Sequence, residues 1–249
     1  MSTDTLPIFL RRLGLTAIVR EYETAITRAE ADNWGYRRFL HHLIETETNE
    51  RLTRRIERLL KESGLPAQET LARLAPEKFP EKARRLLPTL RSGEFIRRGD
   101  ALCVFGLPGT GKSAYVSAVC RDLVERHQVK VLFLSAYKLV SRLLVAKRDL
   151  VLPALLTKLN RYDIIVVDDI SYITQSIAEN DVLFAFFAER YERERSVAVT
   201  SNLVPSQWDQ IFKNPMTAAA IIDRLVHRGY QLEFAGESFR AQAAKARRS

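Results

Sequence analysis

In the first 75 residues, apolar positions recur every three or four residues, and charged side chains fill the gaps between them. In "FLHHLIETETNERLTRRIERLL" these apolar positions are Leu40, Leu43, Ile44, Leu52, Ile56, Leu59 and Leu60. The spacing predicts a long helix with one buried stripe, ended by the turn sequence "GLP" at residues 64–66. An earlier helix is predicted over residues 15–29. We therefore expect residues 1–75 to form a small bundle of three amphipathic helices.

The pattern of apolar residues changes in the remainder of the chain. Residues 76–98 combine prolines with basic residues, which predicts a connector that is partly helical around "EKARRLL". From residue 99 onward, short apolar runs alternate with helical segments. The runs are "ALCVF", "KVLFLS", "DIIVVDD" and "SVAVTSN". Because nearly continuous apolar strands separated by helices are typical of a parallel sheet covered on both faces, residues 99–249 predict a doubly wound α/β domain.

Composition narrows the choice of partner and compartment. The 249 residues carry a net charge of +9, which favours an anionic partner such as nucleic acid, although a solvated basic surface would show the same charge. No apolar run is long enough to predict a membrane span. Cys103 and Cys120 lie within apolar patterns. Their placement predicts buried free thiols in a reducing, cytoplasmic setting.

A phosphate-binding loop follows the first predicted strand and opens a helix. Gly106-Leu107-Pro108-Gly109-Thr110-Gly111-Lys112-Ser113 fits G-x-x-x-x-G-K-[ST] in full, and Ala114 follows in the same helix. Glycines let the backbone N–H groups surround a polyphosphate, and the helix amino terminus adds partial positive charge. We expect these residues to bind ATP, with Lys112 reaching the β- and γ-phosphates and the Ser113 hydroxyl binding Mg²⁺.

Polar side chains close two further apolar strands. Asp168 and Asp169 end "DIIVVDD", where alternating strand geometry would point the two carboxylates in different directions. We expect Asp168 to hold Mg²⁺ and Asp169 to orient the attacking water. Asn202 ends "SVAVTSN" and could sense the γ-phosphate, although a capping asparagine in a turn is the simpler interpretation of that residue alone.

With these motifs in this order, the chain resembles the AAA+ ATPases, and more closely the IstB family of helper ATPases from bacterial insertion sequences. The specific segments are "GLPGTGKS", "DIIVVDDISY", "TSNL", "AAAIIDRLVHRGYQLEFAGESFR" and the N-terminal "LRRLGLTAIVREYETA". The resemblance covers nearly the whole chain. It implies an ATPase that forms a homo-oligomer on double-stranded DNA with ATP at subunit interfaces, deforms that DNA and delivers a transposase to it.

The same resemblance assigns roles to several arginines and marks one departure. Arg224 in "IIDRL" matches the arginine finger, which would complete a neighbour's site; the alternative is an ion pair with Asp223 or another neighbour. Arg228 is a rival for the finger, and Arg240 also falls on a family position. Asp169 stands where many family members have Glu, which puts the hydrolysis rate in question.

DNA contacts are expected in the helical segment after the second strand. In related loaders an inserted element here grips DNA, and Lys138, Arg142, Lys147 and Arg148 are its basic residues, spaced for one helix side or nearly so. Such contacts to phosphates would be largely independent of sequence. A second basic patch is predicted in the connector. It comprises Arg84, Arg85, Arg97 and Arg98.

Two other functions remain open at this point. A helicase loader related to DnaC would share every ATPase residue, and the N-terminal bundle is the feature that favours transposition over it. A small-molecule P-loop kinase would need an acceptor pocket and a lid, and no segment clearly supplies either.

Overall fold

The computed structural model describes residues 5–74, 77, 79–172, 176–212, 215–227 and 229–235. Contacts between residues divide the chain into two compact units, Met1–Arg58 and Leu59–Ser249. Within the described residues, every helix is too short or too polar to cross a lipid bilayer.

The helices occupy most of the N-terminal unit and surround the strands of the second. The helices are α1 (Leu6–Arg12), α2 (Thr16–Ala31), α3 (Tyr36–Ser63), α4 (Glu81–Arg91), α5 (Glu94–Arg97), α6 (Lys112–His127), α7 (Ala136–Arg148), α8 (Leu152–Leu159), α9 (Ile177–Glu192) and α10 (Pro215–His227). The strands are β1 (Ala101–Gly106), β2 (Val131–Ser135), β3 (Ile164–Asp168), β4 (Ser196–Ser201) and β5 (Gly229–Phe234). Short 3₁₀ turns cover Ile170–Tyr172 and Pro205–Gln210.

The N-terminal unit contains the predicted helices, with a carboxylate of α3 at the amino end of α2. Buried Glu47 accepts hydrogen bonds from the N–H groups of Ala17 and Ile18, at 2.8 and 3.3 Å, and from Arg51 Nε at 2.7 Å. Burial acts to raise the pKa of Glu47, but the hydrogen bonds from Arg51, Ile18 and Ala17 outweigh it and hold that pKa below its ordinary value. A polar contact therefore joins the two longest helices of this unit.

The sheet has five parallel strands in the order β2-β3-β4-β1-β5, which confirms the predicted parallel α/β fold. The four predicted strands are present at their expected places. The fifth, "GYQLEF", was not predicted, because it lies at the edge of the sheet and is only partly buried. Without a long apolar run, an edge strand has a weaker sequence pattern than a central one.

Helices cover both faces of the sheet. On one face, α7, α9 and α10 pack against β1–β4 in a large core that includes Leu139, Leu183 and Phe186. The other face carries α6, whose Tyr115 and Val116 are fully buried. The central strands are consequently apolar on both sides, as their sequences predict.

The two cysteines lie in the buried parts of β1 and α6. Cys103 and Cys120 are free and buried, which confirms the prediction. Burial raises the pKa of each thiol to about 12, so both remain protonated near neutral pH.

The segment predicted as a connector forms α4 and α5, which pack on the sheet unit. Tyr115 Oη donates to Ala83 O at 2.9 Å, and Arg91 donates to both carboxylate oxygens of Asp122 at 3.0 and 3.1 Å. A bidentate pair of this kind holds both the separation and the orientation of two helices. Helix α4 is therefore attached at both ends to α6, the helix that begins at Lys112, while α5 packs against α4 and β4.

Candidate nucleotide site

The phosphate-binding loop joins β1 to α6, and its backbone requires glycine. Gly106, Gly109 and Gly111 have φ values of 143°, 82° and 91°. A Cβ atom at Gly106 would lie 2.2 Å from Phe234 O of the neighbouring strand. Side chains are thus excluded where β1 and β5 meet and where the loop turns into α6. The loop has the open backbone that contact with a polyphosphate requires.

Lys112 begins α6 and directs its ammonium group back into the loop. Lys112 is only 6% exposed, and Nζ donates to Gly106 O at 2.7 Å, Leu107 O at 2.8 Å and Asn202 Oδ1 at 2.9 Å. Two of these acceptors are carbonyls of the loop itself. Phosphate oxygens can take their place, because a charged acceptor makes a stronger hydrogen bond with an ammonium group than a carbonyl does.

Asn202 connects that lysine to the second acid of the site. The residue directly follows β4, and its Nδ2 donates to Asp169 Oδ1 at 3.1 Å. Ser171 Oγ donates to the same carboxylate oxygen at 3.2 Å and accepts the backbone N–H of Asn202 at 2.9 Å. The carboxylate of Asp169, the amide of Asn202 and the ammonium of Lys112 therefore form one continuous polar chain.

Asp168 and Asp169 diverge for a reason that differs from the predicted one. Asp168 is the last residue of β3, whereas Asp169 lies beyond the strand with a left-handed φ of 62°. Strand alternation therefore does not explain their directions. Thr200 Oγ1 donates to Asp168 Oδ1 at 2.7 Å and accepts the N–H of Asp169 at 2.8 Å. A single buried hydroxyl thus fixes both the first carboxylate and the backbone that turns the second away.

Sequence reasoning missed Thr200 and Ser171, which hold the acids in place. Thr200 is the one polar residue in the run "VAVT" of β4, and Ser171 follows Asp169 by two positions in "DDIS". A threonine near the end of an otherwise apolar central strand is a signal that could have been used, because a buried hydroxyl needs hydrogen-bond partners. The partners themselves lie 31 or 32 residues away in sequence.

Arg224 lies in α10 and contacts its own chain. Its Nη1 donates to Ala220 O at 2.9 Å, and its guanidinium carbon lies 5.2 Å from the ring centre of Phe184 and 5.8 Å from that of Tyr191. These contacts are with α9 and α10 rather than with the residues of the phosphate-binding loop. The two other arginines considered for this role, Arg228 and Arg240, lie outside the described residues.

The four basic residues of the α7 segment are exposed, but they do not share one side of the helix. Lys147 Nζ pairs with Asp181 Oδ2 of α9 at 3.1 Å, and Arg148 Nε pairs with its neighbour Asp149 at 2.8 Å. The expectation of a common side is therefore wrong, since Lys147 pairs with a residue of α9, whereas Lys138 and Arg142 form no ion pair with any described residue. Successive helix positions differ by 100°, and five residues separate Arg142 from Lys147.

In the second predicted basic patch, two of the four arginines have acidic partners. Arg85 forms an ion pair with Glu81 one helical turn away, and Arg98 Nε lies 3.0 Å from Asp100 Oδ2. Exposed pairs of this kind leave the charge accessible but reduce the net local field.

The donor set fits a magnesium nucleotide. The carboxylate of Asp168 is half-buried and held by Thr200, and Ser113 stands in the first turn of α6 beside Lys112. Hydroxyl, carboxylate and water oxygens are the ligands that Mg²⁺ prefers. The loop glycines leave room for phosphates, and the ammonium of Lys112 is already present to balance their charge.

This sheet order, with the phosphate-binding loop after β1 and two acids at and just after the end of β3, defines a P-loop fold of the AAA+ type. The solved structure of replication initiator DnaA bound to AMPPCP and single-stranded DNA aligns with a TM-score of 0.59 at 16% identity, over 74% of this chain and 56% of that one. The structure of DnaI aligns with a TM-score of 0.56 at 19% identity, over 69% of this chain and 95% of that one.

Sequence comparisons show the family. Residues 9–247 match the family model described as IstB-like ATP binding protein, and this chain belongs to that family. A protein of Sinorhizobium fredii named as an insertion sequence ATP-binding protein is 35% identical over 96% of this chain and 80% of its own length. The ATP-binding protein of insertion sequence IS21 from Pseudomonas aeruginosa is 29% identical over 94% of this chain and 88% of its own.

Proposed function

We propose that this protein is an ATP-hydrolysing helper of transposition, which assembles on double-stranded DNA in its ATP-bound form and brings a transposase to that DNA. Its membership of the IstB-like family and its insertion-sequence relatives support the transposition role. The observation that carries the ATPase role is the polar chain from Lys112 through Asn202 to Asp169.

Binding of ATP begins with an exchange of partners at Lys112. In this structure the ammonium is shared between two loop carbonyls and Asn202. When the phosphates enter, the ammonium turns from Gly106 O and Leu107 O to their oxygens, and the loop N–H groups complete the cradle. Asn202 stays within reach of the same charge, so it detects whether the terminal phosphate is present.

Ser113 and Asp168 would hold Mg²⁺, which supplies positive charge against the phosphate oxygens during transfer. Thr200 keeps the Asp168 carboxylate in one orientation through its 2.7 Å hydrogen bond. A carboxylate positioned in this way loses little conformational entropy when the ion binds.

Asp169 acts on the attacking water. Its carboxylate accepts hydrogen bonds from Ser171 and Asn202, which hold it in one orientation at the end of the polar chain that begins at Lys112. An aspartate reaches one methylene less than a glutamate, so we expect slow turnover. The ATP-bound state therefore persists long enough to act as a switch for assembly.

Arg224 is the proposed trans residue of the homo-oligomer, with the N-terminal helices as the surface for the transposase or neighbouring subunits. The guanidinium would exchange Ala220 O for the terminal phosphate of a neighbour's ATP, while the rings of Phe184 and Tyr191 guide its position. The exposed Lys138 and Arg142 are proposed to contact DNA phosphates.

The assembly switch is tested by sedimentation of the full chain with duplex DNA and Mg-ATP. We expect the wild type to form large complexes that dissociate as ATP is hydrolysed, and we expect Lys112→Ala to form none. Asp169→Asn should bind ATP but turn it over roughly 100-fold more slowly, because a general base contributes about that much. Its complexes should therefore persist. A wild type that stays monomeric on DNA, or nucleotide-driven assembly by Lys112→Ala, would contradict the proposal.

The trans role of Arg224 is tested by mixing two inactive variants. Arg224→Ala has an intact phosphate-binding loop, and Lys112→Ala has an intact arginine. Mixed assemblies should recover part of the ATP turnover, because a Lys112→Ala subunit can supply its arginine to a neighbour's loop. Arg224→Lys is the control that keeps the charge but loses the forked donor geometry. No recovery in the mixture removes the trans role.

A further inference from the structure

The turn between α7 and α8 presents a leucine to solvent in an unfavourable backbone conformation. Leu150 is 90% exposed and has a left-handed φ of 58°. Leu150 lies two residues beyond the end of α7, in a turn with two backbone hydrogen bonds. Its own N–H donates to Lys147 O at 3.2 Å, and the N–H of Val151 donates to Ala146 O at 2.8 Å. Glycine or asparagine is favoured at this position of such a turn. Neither packing nor backbone preference therefore accounts for the leucine.

The surroundings of this leucine are basic. Between residues 136 and 159 the chain has five basic side chains and one acidic side chain, Asp149, so the α7–α8 hairpin carries +4 of the protein's +9. The basic side chains are Lys138, Arg142, Lys147, Arg148 and Lys158. Of these, Lys138, Arg142 and Lys158 form no ion pair with any residue in the described part of the chain. Such a field attracts a polyanion rather than an apolar protein segment alone.

The two ends of the hairpin contact different parts of α9. Lys147, next to the end of α7, pairs with Asp181 near the start of α9, and that start follows the carboxyl end of β3. Asn160, just after α8, instead bonds Glu189 near the other end of α9, at 3.0 Å. The hairpin therefore runs along α9, with its turn near Asp181 and its other end near Glu189.

We propose that Leu150 is a wedge that inserts between base pairs of duplex DNA and unstacks them, while the basic residues of the hairpin hold the flanking phosphates. Architectural proteins bend DNA by inserting apolar side chains in this manner, with cations on the backbone. The inference rests on the proposed function, since it requires that the protein bind duplex DNA. It adds the residue that would deform the duplex after binding.

The same hairpin carries a second apolar surface, which offers an alternative to the proposed wedge. A groove of about 560 Å³ between α7 and α8 is lined by residues that include Val145, Val151 and Leu155. An apolar protein segment could lie there, and it would contact Val145 and Val151, whereas Leu150 does not line the groove. A wedge uses Leu150 alone, because only the tip of a turn enters a base step. The two surfaces can therefore be separated by single substitutions.

The test uses the full chain with a non-hydrolysable ATP analogue and a duplex that contains 2-aminopurine, whose fluorescence rises when the base loses its stacking. We expect a rise with the wild type and its loss with Leu150→Gly. Glycine preserves the left-handed turn, so the variant should fold, and its affinity for DNA by fluorescence anisotropy should stay within about twofold of the wild type, because phosphate contacts dominate affinity. ATP turnover should be unchanged.

Val145→Ser is the matched control on the same hairpin. It should retain the fluorescence rise of the wild type, and an equal loss in this variant would overturn the wedge in favour of a broader apolar surface. An unchanged rise in Leu150→Gly would likewise overturn the wedge while leaving DNA binding intact. Failure of the wild type to bind the duplex would instead contradict the proposed function.

Discussion

In the part of the chain that the structure describes, a cation is buried at each of two opposite edges of the sheet, and the two cations contact different kinds of partner. At the carboxyl edge, Lys112 is 6% exposed and donates to Gly106 O, Leu107 O and Asn202. At the amino edge, Arg190 of α9 is 1% exposed and donates to four backbone carbonyls. These acceptors belong to Leu159, Tyr162, Asp163 and Ser196.

Lys112 and Arg190 differ in whether a ligand could replace their hydrogen-bond acceptors. The acceptors of Arg190 lie on the end of α8, the approach to β3 and the start of β4, so its guanidinium joins three separate segments of the chain. Two of the acceptors of Lys112 are adjacent carbonyls of one loop. A buried charge therefore does not by itself mark a functional site, whereas a buried charge with exchangeable partners does.

The largest effect expected from this comparison is on stability, at Arg190. Arg190→Met should lower the free energy of unfolding by about 3 kcal/mol or more, because it leaves several buried carbonyls without a donor. Burial, with Arg195 adding to it and Asp163 opposing it, lowers the pKa of Arg190 to about 9, so the side chain is still charged at neutral pH. Urea denaturation without nucleotide measures the change.

Arg193→Met is the control on the same helix. Arg193 is exposed and forms a 3.0 Å ion pair with Glu189, so its loss should cost about 0.5 kcal/mol or less. If Arg190→Met does not fold, Arg190→Lys, which keeps the charge but not the fork, should be intermediate between the wild type and unfolded. Equal stability of Arg190→Met and Arg193→Met would contradict the structural role of Arg190.

The same comparison explains which parts of the site the sequence could predict. Lys112, Asp168 and Asn202 stand at the ends of apolar strands or in a contiguous motif, so a short window of sequence is enough to find them. Thr200 and three of the four acceptors of Arg190 make contacts over 27 to 32 residues of sequence, and these contacts are defined only once strands are ordered in the sheet. Strand order is not encoded in any local pattern.

Two errors have different physical origins. The edge strand β5 was missed because half-exposed strands lack a continuous apolar run. The prediction that Lys147 shares one side of the helix with Arg142 was an avoidable error, since helical periodicity alone separates the two positions by 140° around the helix axis. The helices of the N-terminal unit were predicted well because their apolar stripe is regular and Gly64, with φ of 70°, ends α3.

Of the two buried cations, Lys112 has the smaller expected effect on stability, and Lys112→Ala without nucleotide should cost about 1 kcal/mol or less. The carbonyls of Gly106 and Leu107 lose a donor, but Leu107 is 64% exposed, so water can hydrate the loop in place of the ammonium. Addition of Mg-ATP should then make the wild type more stable than Lys112→Ala, because a ligand at 100 times its Kd stabilises a protein that binds it by about 2.7 kcal/mol.

Urea denaturation with and without Mg-ATP checks both statements in one series. The wild type and Arg193→Met should gain stability from the nucleotide, whereas Lys112→Ala should gain none, although its starting stability is nearly that of the wild type. If Lys112→Ala is instead destabilised as strongly as Arg190→Met, its ammonium holds the fold together in the same way. The contrast between the two edges would then disappear, because both cations would be structural.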